Sequence, residues 1–251
     1  MDLIVPDWIG APDNVRAIST TRIGGVSLAP YHDGTTTEHG LNTATHVGDN
    51  PDHVLRNRII LRSRLPVEPV WLNQVHGSTV IDAVQVNGIP DADAGMTTRR
   101  RIVCVVQTAD CLPVLFCDKA GRTVAAAHAG WRGLAAGILE HTVQKMRSSG
   151  ADAILAWMGP AIGPDHFEVG EDVLDAFESR GFRVQEAFRS RAGQPGKYLA
   201  DIYALAREAL GKVGVNQVSG GGFCTVADFR RFYSFRRDGV TGRMASLIWL
   251  E

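Results

Sequence analysis

Several strand-length stretches of this chain are apolar on successive residues rather than on alternate ones, notably 102–107, 113–117, 123–127, 154–158 and 246–250. A strand with one wet face alternates, so an unbroken apolar run marks a strand covered on both faces. Stretches 70–75 and 80–85 complete the predicted strands. Helices are expected between them, and the pattern predicts a layered α/β sandwich built on a mixed sheet.

Four helix signals support that reading. Asn50 caps a segment that opens on Pro51 and carries Val54, Leu55, Ile59 and Leu61 as its apolar side. Glu171 and Asp172 complement the dipole of a second helix. Leu134, Ile138, Leu139, Val143 and Met146 recur at helical spacing over about 133–149, with Gly150 as the stop. Asp201 caps a fourth, with Ile202, Leu205, Ala206, Ala209 and Leu210 following. Asp238 and Gly239, between 233–237 and 240–244, signal a hairpin turn. No linker or low-complexity tract divides the chain, and the echo of Val47, Gly48, Asp49 in Val169, Gly170, Glu171 reads as two similar helix starts. Residues 1–251 are therefore expected to form a single domain.

Composition excludes some functions. Lys plus Arg number 26 against 27 Asp plus Glu, and a net charge of −1 gives no global attraction to nucleic acid or an anionic membrane. No basic-then-apolar leader or membrane-length apolar run is present, so a soluble cytoplasmic protein is expected. The four cysteines form no Cys-x-x-Cys pair. Cys104 and Cys117, in apolar runs, read as buried small hydrophobes. Cys224 follows Gly220, Gly221, Gly222 and Phe223, a lead-in that permits close backbone approach to a ligand.

His76, Cys111 and His128 each sit where a strand-like stretch breaks into a turn punctuated by Gly or Pro. Two imidazoles and a thiolate are a donor set for catalytic zinc, with the fourth position left open. His32, His39, His46 and His53 recur every seven residues, but Gly34, Gly40, Gly48 and Pro51 interrupt any helix that would make them a ligand stripe. One of them near the pocket remains compatible with this.

Two segments suggest anion binding. Gly130, Trp131, Arg132 and Gly133 follow His128 at a helix start, where free N–H groups attract phosphate; Arg132 in a surface ion pair and Trp131 in the core are the bland alternatives. Thr20 to Ser27 places hydroxyls, Arg22 and paired glycines in one turn, with neither a Walker loop nor a Gly-x-Gly-x-x-Gly pattern. The run 229–237 interleaves aromatics with arginines and reads as a hairpin lining a pocket, its aromatics stacking a base and Arg236 or Arg237 meeting a phosphate.

These motifs resemble the bacterial YfiH family, also called peptidoglycan editing factor and formerly labelled polyphenol oxidoreductase laccase, to which the enzyme domain of vertebrate FAMIN belongs. The resemblance runs through Thr20 to Ser27, Leu41, Asn42, 46–49, 73–77, 91–94, 108–116, 127–134, 159–163 and 233–245. It implies a single-domain four-layer α/β sandwich with His76, Cys111 and His128 as metal ligands and catalytic residues. It also implies phosphorolysis of adenosine, inosine, guanosine and methylthioadenosine, with an accompanying adenosine deaminase activity. Arg22, Asn42, Arg132 and Arg236 become the candidate substrate or phosphate contacts.

The eight histidines contain no His-x-His pair, so the chain lacks the ligands of a multicopper oxidase. Copper competes with zinc for the three ligands, since it ranks above zinc in general site affinity. The zinc-deaminase signature is also absent, which leaves Asp93 and Asp110 as candidate proton carriers. Two other functions stay open: a cysteine or zinc amidase editing a peptidoglycan precursor, with Cys111 as nucleophile, and a non-enzymatic zinc-stabilised binding protein.

Overall fold

The computed structural model describes residues 1–32 and 39–251; Gly34 lies outside the described residues. Two sheets form its centre. One has six strands in the order Gln217–Gly220, Ile154–Met158, Leu112–Asp118, Val124–Ala129, Ala94–Thr97, Val80–Asp82. Its two outer pairs are parallel and its inner pairs antiparallel, so the sheet is mixed. The other has four antiparallel strands in the order Leu3–Ile4, Val15–Thr20, Met244–Leu250, Cys104–Thr108.

The period of two in each strand sorts its side chains between layers. From Leu112–Asp118, Leu112, Val114 and Phe116 join a cluster with Leu139, Val143, Leu205 and Leu210 of the helices Ile138–Ser148 and Ile202–Lys212. Leu115 and Cys117 point the other way and meet Cys104, Val106 and Ile248 of the four-stranded sheet. The opposite face of that sheet presents Val103, Val105 and Leu247 to Leu61, Leu65 and Trp71. The layers are therefore helix, sheet, sheet, helix. Continuous apolar runs are required because both faces of both sheets are covered.

Several elements differ from expectation. The segment 70–75 is extended but pairs only through isolated bridges, Val70 with Cys104 and Asn73 with Asp91. The helix expected over 133–149 is two helices, Trp131–Ala135 and Ile138–Ser148, separated by Gly137 at φ 88°. That left-handed conformation ends one helix and starts the next. In the helix Pro51–Arg62 the buried residues are Val54, Asn57 and Leu61, while Leu55 and Ile59 face outward. The hairpin predicted around Asp238 and Gly239 is instead a short helix, Phe235–Asp238, capped by the Ser234 hydroxyl. Helical capping outcompetes the turn signal there because Ser234 accepts the Arg237 N–H and Gly239 takes φ 69° at the helix end. The Asn50 and Asp201 caps form as the sequence indicates. Among the described residues, no helix is long and apolar enough to cross a membrane.

Candidate metal centre and its cleft

Two turns and a strand end at one edge of the sheet pair deliver the donor trio. His76 ends the extended segment at φ 59°, and Cys111 follows Asp110 at φ 87° in the turn joining Cys104–Thr108 to Leu112–Asp118. Left-handed backbone at non-glycine residues is uncommon and costs free energy, so the surrounding contacts must hold these turns. The sequence places His128 at the opening of the turn after a strand ending at 127, but the strand Val124–Ala129 runs two residues further and includes it.

The ligand atoms of His76, Cys111 and His128 lie within 4.8 Å of one another, the one such group among the described residues. Cys111 Sγ stands 3.9 Å from His76 Nε2, and the two imidazoles meet edge-on at 4.8 Å between centroids. Zinc bonds of about 2.0–2.3 Å bring donors of one tetrahedron to this order of separation. A Cβ on Gly130 would sit 3.0 Å from Cys111 Sγ and 3.1 Å from His76 Cδ2, so only glycine leaves the space between the donors free.

Asp93 organises the trio from behind. Fully buried, it accepts the His128 Nδ1–H at 2.8 Å and the backbone N–H groups of His76 and Gly77 at 3.0 and 2.7 Å. Its bond fixes the His128 tautomer with Nε2 facing the other donors, the usual way a carboxylate orients a ligand histidine. Burial alone would raise the Asp93 carboxyl, but His128 and the backbone donors hold it below its ordinary value. Burial also opposes the charged forms of Cys111 and His128, yet each stabilises the other. His128 and His76 bring the Cys111 thiol down to about 6, and Cys111 with Asp93 raises His128 to about 9. The charged forms of Cys111 and His128 thus favour one another.

The trio opens into a cleft of about 270 Å³ lined also by His46, Gln74, Gln107, Phe235 and Arg243. Larger grooves occur on the helical side, but the donor trio is absent from them. Gln74 and Gln107 clasp through paired bonds of 2.8 and 2.7 Å, which ties the His76 segment to the Cys104–Thr108 strand. Burial holds the Arg243 guanidinium below its ordinary value. His46 is lowered by burial and then by Arg243 and Arg58, so two guanidiniums make one end of the cleft positive.

The candidate contacts from sequence are distributed differently. Asn42 is fully buried and accepts the Arg243 backbone N–H, which positions that residue from below. Arg22 is buried, donates to the Phe229 carbonyl and lies 4.9 Å from the Tyr233 ring centroid, outside the cleft lining. Arg132 is exposed over Trp131, and Arg236 donates to the Glu168 carbonyl. Arg237 caps carbonyls of Thr225 and Phe232. Of the aromatics in 229–237, Phe235 lines the cleft, while Phe232 and Tyr233 are buried in the core. Both Asp110 oxygens are engaged, by the Thr225 hydroxyl at 2.5 Å and the Arg236 N–H at 2.7 Å. Sequence reading missed Arg243, Gln74, Gln107 and the bracing role of Asp93. For Asp93 the signal was its place in the motif 91–94.

The fold is a two-sheet α/β sandwich that carries, among the described residues, one His–Cys–His group able to hold a metal ion, and comparison with known proteins assigns the chain to a family. Residues 16–251 match the family model described as multi-copper polyphenol oxidoreductase laccase. Proteins named purine nucleoside phosphorylase in Pseudomonas aeruginosa and Escherichia coli are each 52% identical, covering 99% of this chain and 98% of theirs. The crystal structure of a Neisseria meningitidis protein superposes with a TM-score of 0.91 at 49% identity, covering all of both chains. The chain belongs to the YfiH family.

Proposed function

We propose that this chain is a zinc-dependent purine nucleoside phosphorylase acting on adenosine, inosine, guanosine and methylthioadenosine, with an accompanying adenosine deaminase activity. The observation that supports it is the convergence of the donor trio and Arg243 on one cleft, in a chain 52% identical to proteins named for that activity. The name multi-copper oxidoreductase fits the donors poorly: among the described residues one three-ligand group is present, and multicopper chemistry needs several.

In phosphorolysis a phosphate oxygen bonds to C1′ of the ribose as the bond from C1′ to the purine nitrogen breaks, and the purine leaves with a proton. His76, Cys111 and His128 would hold a zinc ion, which would supply Lewis acidity at the cleft wall, and copper would compete for the same ligands. Arg243 holds the phosphate through charge-assisted hydrogen bonds, its backbone fixed by Asn42. Phe235, whose ring centroid lies 5.9 Å from the Arg243 guanidinium carbon, offers an exposed face for the purine. The Gln74–Gln107 clasp keeps the opposite wall in place.

The thiol of Cys111, lowered to about 6 beside His128, supports a second reading in which it is a nucleophile toward an amide of a peptidoglycan precursor. One experiment separates them. Metal-loaded protein is incubated with the nucleosides and with precursor amides, with and without phosphate. Ribose 1-phosphate and free base formed only with phosphate is the expected result. Free ribose formed equally well without phosphate overturns phosphorolysis, and a covalent acyl-Cys111 species transfers the assignment to the amidase.

A further inference from the structure

A second sulfur–imidazole pair lies outside the metal cleft. Cys224 is half-buried and its Sγ is 3.4 Å from His166 Nδ1. The same sulfur accepts the backbone N–H groups of Gly163 at 3.3 Å and Ala227 at 3.4 Å. His166 is held in a tight turn by its own N–H to the Gly163 carbonyl. Gly163 lets the sulfur approach: a Cβ there would stand 2.9 Å from Cys224 Cβ and 3.0 Å from Sγ. The pair opens into a groove of about 550 Å³ whose other walls include Tyr203, Arg207 and Gly221.

The remaining cysteines differ in chemistry. Cys104 and Cys117 are fully buried, and burial pushes both thiols up to about 12. Cys111 belongs to the metal centre. Cys224 is therefore the thiol that combines access, an adjacent imidazole and directed N–H donors, the surroundings in which cysteines react.

Its loop also reaches the metal centre. Thr225, the next residue, donates its N–H to the Ala161 carbonyl and its hydroxyl to Asp110 Oδ1, and the Asp110 carbonyl accepts the Ile162 N–H. Asp110 is the left-handed residue that presents Cys111. A group attached to Cys224 Sγ crowds the Gly163 and Ala227 N–H donors, which lie one or two residues along the chain from Ile162 and Thr225 of that clasp.

We propose that Cys224 and His166 form a second reactive site, which takes up low-molecular-weight disulfides by thiol–disulfide exchange and thereby loosens the Asp110 clasp behind Cys111. The Cys224 proton passes to His166 Nδ1, and the sulfur attacks one sulfur of the disulfide. The new S–S bond forms as the old one breaks, and the departing thiolate takes the proton from His166. No net oxidant beyond the disulfide is consumed, and a reducing thiol reverses the step.

The test uses zinc-loaded full-length protein and oxidised glutathione, followed by intact mass, peptide mapping and the rate of zinc loss to a chelator. One adduct per chain at Cys224 is expected, with none in Cys224→Ser. His166→Gln is expected to form it at least about tenfold more slowly. Zinc loss from the adduct is expected to be about tenfold faster, the order set by one charge-assisted hydrogen bond, with Cys224→Ser unresponsive to treatment. Modification at Cys111 instead, no adduct at all, or an undiminished rate in His166→Gln overturns the reactive dyad. An adduct at Cys224 that leaves zinc loss unchanged overturns the link to the metal cleft.

Discussion

Replacing Asp93 with Asn tests whether the carboxylate, rather than the trio alone, makes the metal centre. Asp93 accepts from His128 Nδ1 at 2.8 Å and from the N–H groups of Gly77, His76 and Val75 at 2.7, 3.0 and 3.3 Å. An asparagine has one acceptor oxygen and must aim its amide N–H₂ at donors. The variant loses a charge-assisted bond, about 1.5–3 kcal/mol, and leaves a buried N–H unsatisfied, about 1–3 kcal/mol. A destabilisation of roughly 2.5–6 kcal/mol is expected, a large share of the 5–15 kcal/mol of a typical domain. Loss of a carboxylate behind a ligand histidine weakens metal affinity by about 10–100-fold, equivalent to about 1.4–2.8 kcal/mol. Competition titration against a chromogenic chelator reads the affinity, and thermal melting of the metal-free protein reads the stability. Asp91→Asn is the control, because Asp91 is exposed and its side chain bonds the exposed Asn73 at 2.6 Å. If folded Asp93→Asn binds zinc as tightly as the parent, the bracing argument fails.

Gly130→Ala is expected to keep its fold, since φ −60° and ψ 156° suit alanine, yet to bind metal at least about tenfold more weakly, because the new methyl enters the space between the donors; unchanged zinc content at limiting metal contradicts this. Arg243→Ala is expected to raise the phosphate requirement about 10–100-fold, the size of one charge-assisted contact, with zinc retained, whereas Arg22→Ala lowers thermal stability through its lost bond to the Phe229 carbonyl; a normal phosphate response in Arg243→Ala removes it from the phosphate subsite. Proton release on metal binding follows from the signs of the shifts. The lowered Cys111 thiol is already thiolate above about 6, and the raised His128 keeps its proton up to about 9, so zinc must displace the His128 proton. Calorimetry in buffers of different protonation enthalpy should read about one proton per zinc at neutral pH, rising as pH falls below 6 and Cys111 protonates; two protons at neutral pH would contradict a preformed thiolate.

Local signals in the sequence determined much of this protein. Apolar runs specified strands covered on both faces, and Ile154–Met158 forms with the predicted bounds. Asn50 and Asp201 mark helix starts because a capping side chain acts on N–H groups two or three residues away. The donor trio was legible from ligand chemistry at three turn motifs, and the structure brings its members together.

Other features depend on residues far apart in the chain. Arg22 had the look of an anion-binding arginine, but its destination is the Phe229 carbonyl, 207 positions away. Arg243 lay in the motif 233–245 without standing out there, and is fixed in the cleft by Asn42, 201 positions away. Asp93 and His128 are 35 apart and meet because adjacent antiparallel strands place them side by side. The run 233–237 carries strand-like alternation, yet Tyr233 is drawn into the core by its bond to the Tyr31 carbonyl and Ser234 caps a helical turn. Propensity and capping act over a few residues, so sequence alone determined most of the central strands, the capped helix starts and the donor types. Only the tertiary structure decided which arginine faces the cleft, since burial and hydrogen-bond partners are set by the packing of whole layers.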